Sequence, residues 1–198
     1  MSPNGEEEQV EVVDEYDRVL YITSLAECKS LGLIHRTVCV FVRNSDGLIL
    51  LQQRSLSDDW LPGRWTVSCS GHIKAGENPE EASVRELEEE LGIVAKPKFL
   101  FKELLPKITW ETSIEHEIAY AFETESLGEP RINPNEVEKV QYVSQSDFST
   151  HARSSPDDFT PDAIILLQKY LHEAGSGKQS TMSATNNFMN AFRSTTVR

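Results

Sequence analysis

Glu86, Glu89 and Glu90 stand at i, i+3 and i+4 in a stretch, residues 77 to 90, that holds seven acids and one basic side chain, Arg85. On a helix that spacing gathers the three carboxylates on one side, here expected to face away from the apolar Val84, Leu87 and Leu91. Like charges held so close repel one another. A divalent cation that prefers hard oxygen ligands, Mg²⁺ or Mn²⁺, offsets the crowding and can bridge carboxylates to a substrate phosphate. Such an ion polarises a phosphoryl oxygen and lowers the pKa of a coordinated water. The chemistry implied is attack by water on a diphosphate. The plainer alternative is a solvated acidic helix face.

Those side chains need a helix with defined ends. Asn78-Pro79 supplies a capping side chain followed by proline at the first helical position, Glu81 completes a capping box, and Gly92 is a stop. Leu87 and Leu91 with Val84 then form the apolar face. Upstream, VEVVDEYDRVLYI reads as a hairpin, and TVCVFVRNSDGLILLQQR as a second one turning at Asn44-Ser45-Asp46-Gly47. WTVSCSGHI suits a strand ending at Gly71. Phe99 to Leu105, Ile118 to Phe122 and Val137 to Val143 suit further strands, and Thr160-Pro161-Asp162 opens an amphipathic helix to about His172. The order of elements implies one α+β or α/β sandwich around a single sheet.

The 198 residues are enough for one domain, expected over 10–173, between an acidic leader (1–9) and a Ser/Thr/Asn-rich tail (174–198), both expected to be mobile. A net charge of −13 argues against nucleic acid as a partner. No apolar run reaches membrane-spanning length, so no membrane partner is expected. Cys28, Cys39 and Cys69 are odd in number and lack CxxC spacing, which fits a reducing, cytoplasmic setting without a disulfide framework. Cys69 suits a buried small hydrophobe, and Trp60, Trp65 and Trp110 suit core or pocket-rim positions.

Gly71, Glu77, Arg85, Glu86, Glu89, Glu90 and Gly92, with aliphatic Leu87 and Ile93, match the Nudix box at every specified position. Seven fixed residues at about 7% frequency each coincide by chance on the order of 10⁻⁸ per start site. The resemblance implies an α/β/α sandwich around a mixed sheet and hydrolysis of a small diphosphate. It also implies Glu86, Glu89 and Glu90 as metal ligands, Arg85 as the partner that orients a glutamate, and Gly71 as the point where a backbone carbonyl approaches the metal. Water would be activated by metal together with Glu89 or Glu90, or Glu117.

The flanks HRTVCVFVRNSDGLILLQQRS, LPGRWTVSCSGH, IEHEIAYAF and NPNEVEKVQYVS resemble isopentenyl-diphosphate isomerase and its Nudix-hydrolase relatives over roughly residues 10 to 172. By that resemblance His35, His72, Glu115 and Glu117 form a His/Glu metal site, and Arg54 and Ser70 contact the substrate, Arg54 at its diphosphate. Each has a bland alternative: His35 and His72 as hydrogen-bonded structural histidines, Arg54 as a partner of Asp58 or Asp59. The departures matter too. Ser70 stands where the isomerase has its proton-donating cysteine, Asp58 where it has a lysine, and Cys28 near a further metal histidine. The isomerase helix is degenerate where this chain keeps the full hydrolase set. Hydrolysis of a nucleoside or isoprenoid diphosphate is the reading favoured, isomerisation of isopentenyl diphosphate the alternative, and a non-catalytic diphosphate-binding module a third.

Overall fold

A computed structural model describes residues 7–126 and 128–176. The expected leader lies outside these residues up to position 6, and the expected tail does so from position 177. In chain order the elements are β1 (Gln9–Val13), β2 (Val19–Ser24), α1 (Leu25–Leu31), β3 (His35–Arg43), β4 (Ile49–Arg54), β5 (Trp65–Thr66) and β6 (Cys69–His72). They continue with α2 (Pro79–Leu91), β7 (Lys98–Leu104), β8 (Ile108–Trp110), β9 (Ser113–Glu115), β10 (Glu117–Glu125), β11 (Val137–Val143), α3 (Gln145–Ser154) and α4 (Pro161–Ser176).

The main sheet runs β11-β4-β3-β10-β7, with β5 on β4 and β6 on β3. β3 and β10 pair in parallel, and the other pairings are antiparallel. The strand period of two divides the interior into layers. From β3, Val38, Val40 and Val42 join Leu87 and Leu91 of α2 in one cluster. Cys39 and Phe41 face the other way, into a cluster with Phe148 of α3 and Leu166, Leu167 and Tyr170 of α4. The result is an α/β fold with helices on both faces of a mixed sheet.

Both expected hairpins form. In the β3–β4 turn Gly47 takes φ +77, which tolerates no ordinary side chain at low cost. Strand β1 pairs antiparallel with β2, and their turn is tied to the sheet through Asp17. Its carboxylate accepts from Arg36 Nε at 2.6 Å and Lys102 Nζ at 2.8 Å, and from the Tyr120 hydroxyl.

α2 has the expected bounds, with a capping box between Asn78 and Glu81 and a left-handed Gly92 at its end. The expected strand over WTVSCSGHI is broken into β5 and β6 and runs one residue past Gly71, to His72. Not anticipated were α1, α3, the β8–β9 hairpin and a short 3-10 turn at Pro156–Asp158. The signals for α1 were present: Ser24 accepts from Glu27 N at its start, and Gly32, at φ +60, ends it.

Candidate active site

A cavity of about 790 Å³ opens where α2, β6, β9, β10 and the start of α4 converge. One wall is the acidic helix. The expected orientation of α2 is corrected here: the buried residues are Ala82, Ser83, Glu86, Leu87, Glu90 and Leu91, while Val84 is only half-buried. Glu86 and Glu90 therefore belong to the arc that faces the sheet, one step round from Leu87 and Leu91 and not opposite them. Only Glu89 faces the mouth, with 48% of its side chain exposed. A 3.6-residue repeat puts i and i+4 on one side but does not say which neighbouring arc meets the sheet.

The buried pair is accommodated by the strand beneath. Gly71 sits against the Glu86 carboxyl so closely that a Cβ there would lie 2.2 Å from its Cδ. Gln52 Nε2 donates to Glu90 Oε2 at 2.9 Å, and the Ser70 backbone N–H donates to the same oxygen at 3.4 Å. Cys69 is fully buried, as expected, in the cluster with Leu87 and Leu91 of α2. Arg85 ties the acids together. Its Nε and Nη2 donate to the two oxygens of Glu77 at 2.7 and 2.8 Å, and its Nη1 reaches Glu86 at 2.5 Å and Glu89 at 3.1 Å.

Burial pushes the Glu86 carboxyl up to about 7 against the opposing pull of Arg85, and pushes Glu90 well above the usual carboxylate range, helped by the Glu86 charge. Crowded, buried acids whose charged forms are disfavoured are what a cation would relieve. The donor set, all hard oxygen, fits a divalent ion.

The second cluster comes from four strands. β10 pairs with β3 in a register that sets Glu117 beside His35, and β6 pairs with β3 so that His72 lies opposite Thr37. The two imidazoles are 5.2 Å apart between ring centres. Glu115 arrives from β9. One ligand atom from each of His35, His72, Glu115 and Glu117 lies within 4.8 Å of the others. His116, between the two acids, is not one of them.

His35 is fully buried, and its Nδ1 lies 3.2 Å from the Leu33 carbonyl, which can only accept, so Nδ1 carries the hydrogen. Nε2 then faces Glu115 Oε2 at 3.5 Å and Glu117 Oε1 at 3.9 Å. Both Nε2 and Glu115 Oε2 are buried without a hydrogen-bond partner. Buried orphans aimed at one another fit an ion or a shared proton.

Burial disfavours charge on His35, but Cys28, Glu115 and the Glu117 charge outweigh it and raise its pKa to about 10. Burial, and then the charge on His35, holds His72 down at about 3. Glu117 is raised to about 8 by burial and then by the charge on Glu115. Despite its burial, Glu115 is lowered to about 2 by His35 beside it and by the His72 and Lys29 charges.

Of the two residues expected to contact substrate, Ser70 lines the cavity, whereas Arg54 lines it with its guanidinium already engaged. Arg54 Nη2 meets Asp58 Oδ2 at 2.6 Å and Nε donates to the Trp60 carbonyl at 2.7 Å. Several lining residues were not anticipated: Gln52, Lys29, Asp162 and Glu136. Glu136 just precedes β11, and its pKa is raised by partial withdrawal from solvent and then by the Glu89 charge. No spacing in the sequence links it to α2.

This architecture recurs in known proteins. A Deinococcus radiodurans crystal structure superposes with a TM-score of 0.65 at 23% identity, covering 82% of this chain and 98% of the other. A MutT protein from Methanosarcina mazei superposes at 0.60 and 20% identity, over 74% and 96%. In sequence, the chain is 30% identical to an isopentenyl-diphosphate Delta-isomerase of Serratia proteamaculans over 82% of this chain and 90% of the relative. It is also 30% identical to an uncharacterized Nudix hydrolase of Yersinia pestis, over 83% and 86%. The NUDIX domain family model matches residues 33–163, a span that contains α2, Gly71 and all four members of the His/Glu cluster, and the chain belongs to the Nudix family.

Proposed function

We propose that this protein hydrolyses a small diphosphate-containing substrate, a nucleoside or isoprenoid diphosphate, using Mg²⁺ or Mn²⁺ held by Glu86, Glu89 and Glu90 beside Gly71. One observation carries this reading: Glu86, Glu89 and Glu90 of α2 all line the cavity, with Glu86 and Glu90 buried. When bound, the ion would supply Lewis-acid polarisation of a phosphoryl oxygen and a more acidic water. The chain's own residues do the rest. Arg85 holds Glu77, Glu86 and Glu89 in mutual register. Glu89, nearest solvent, would take a proton from the attacking water, and Glu117, raised to about 8, is a second candidate base.

The domain is assigned to residues 10–173. The cysteines Cys28, Cys39 and Cys69 are all unpaired and buried, which supports a reducing, cytoplasmic setting. No described helix is long and apolar enough to cross a membrane.

Isomerisation of isopentenyl diphosphate is the second reading, favoured by the assembled His35, His72, Glu115 and Glu117 and by the likeness to the Serratia isomerase. Against it stand Ser70, a far weaker acid than cysteine, and the engagement of Arg54 by Asp58. Purified protein with Mg²⁺ would be given a panel of nucleoside diphosphate derivatives and, separately, isopentenyl diphosphate. Release of phosphate or nucleoside monophosphate is the expected result. Dimethylallyl diphosphate formed without phosphate release would reverse the assignment.

A further inference from the structure

The His/Glu cluster already has a cation within it. Lys29, in the last turn of α1, places Nζ 2.5 Å from Glu115 Oε1, with only 16% of its side chain exposed. The same ammonium lies 5.5 Å from the centre of the Trp60 ring. Its backbone has little freedom to withdraw. Gly32 ends α1 so close to β9 that a Cβ there would lie 2.8 Å from Ile114 Cγ2, next to Glu115 in the chain. Lysine is seldom buried unless paired, and such a pair is costly to break.

Glu115 is thus shared. One oxygen serves Lys29, and the other faces His35 Nε2 at 3.5 Å. A divalent ion taken up by His35, His72, Glu115 and Glu117 would have to sit on a carboxylate that already holds an ammonium, in surroundings where charges are weakly screened. We propose that Lys29 is a built-in competitor for the cation at this cluster: its ammonium neutralises Glu115 in place of a divalent ion, so that metal is directed to the carboxylates of α2.

Charge counting distinguishes the two places. With His35 and His72 deprotonated, as metal ligation requires, Lys29 leaves the pair Glu115 and Glu117 with one uncompensated negative charge. On and beside α2, Arg85 pairs with Glu77, Glu86 and Glu89, and among the described residues no ion pair reaches Glu90, so carboxylates outnumber cations there. The inference concerns cation affinity and stands whichever diphosphate is cleaved.

Mn²⁺ binding to the full chain, read by electron paramagnetic resonance of the free ion, tests it without reference to activity. In a Glu86→Gln/Glu89→Gln background, which weakens the α2 site, the protein should bind no Mn²⁺ tighter than about 1 mM. Adding Lys29→Met should tighten binding about tenfold or more, adding Lys29→Arg should not, and His35→Ala on top of Lys29→Met should abolish the gain. Unchanged or weaker binding with Lys29→Met, or a gain that survives His35→Ala, would overturn the proposal. Should the Lys29→Met protein not fold, the background alone decides, because micromolar Mn²⁺ affinity with Lys29 in place contradicts competition.

Discussion

The cavity holds two acidic clusters that differ in how they are built and in what balances their charge. The first is one helix: Glu86, Glu89 and Glu90 occupy two adjacent turns of α2, and Arg85, on the same helix, ties two of them to Glu77. The second draws His35 from β3, His72 from β6, Glu115 from β9 and Glu117 from β10, with Lys29 reaching in from α1. In the first, acids crowd and burial raises their pKa values. In the second, acid and base pair, so Glu115 is driven down and His35 up. Crowded acids call for an external cation, whereas paired charges can satisfy one another. That difference favours α2 as the seat of the proposed metal-dependent chemistry.

The sharpest way to break that contrast is to remove one group from each side. Glu89→Gln should lower turnover by about 10²–10⁴-fold, the range for loss of a positioned base, without unfolding the protein. His35→Ala should cost less than about tenfold in the same assay. Steady-state kinetics with circular dichroism as a fold control decides, and a larger loss from His35→Ala would invert the hierarchy.

The pH dependence of stability separates the clusters next. Glu86 titrates near 7 in the folded chain against 4.5 as its ordinary value, so the folded state holds the extra proton between those values. Stability of the metal-free protein should therefore fall as pH rises from about 4.5 to 7, by about 3 kcal/mol from this group. Glu90 acts in the same direction. Glu115, lowered to about 2, contributes stability that is present above 4.5 and lost as pH falls toward 2. Denaturant melts across pH, with and without Mg²⁺, measure both limbs, and Mg²⁺ should stabilise most on the alkaline side. Because His72, held at about 3, acts in the opposite direction up to about 6.5, the Glu86 share is read from Glu86→Gln, and a pH profile unaltered by that substitution would contradict the crowding argument.

A smaller effect concerns the contact between strand and helix. Gly71→Ala puts a methyl group where the Glu86 carboxyl now lies, and a cost of about 1–3 kcal/mol is expected for this overpacking. Equilibrium unfolding in urea reads it, and a neutral result would show that Glu86 moves aside freely. Smallest of all, Ser70→Cys should change hydrolysis by less than about threefold. A collapse of rate on that substitution would place the hydroxyl in the chemistry.

Much of α2 was legible in the chain because everything that defines it is local. The Asn78 cap, the Pro79 start, the Gly92 stop and the i, i+3, i+4 acids all fall within about four turns, the range over which helical spacing carries information. The His/Glu cluster was reached only through resemblance. No periodicity connects His35 to Glu117, which meet because β3 and β10 pair in parallel. Arg54 illustrates the limit from another side. It lies on the cavity wall as expected, yet Asp58, four residues on, already engages it.

Taken alone, then, the order of amino acids determined which helix would carry the acids, where it begins and ends, and the family whose box it bears. Tertiary structure decided that Glu86 and Glu90 turn inward while Glu89 faces the mouth, that Gly71 must lack a side chain, and that Lys29 reaches Glu115. The reason is physical. Helical periodicity relates residues a turn apart, but solvent exposure, pKa and the choice of counter-charge depend on groups brought close only by sheet register and helix docking.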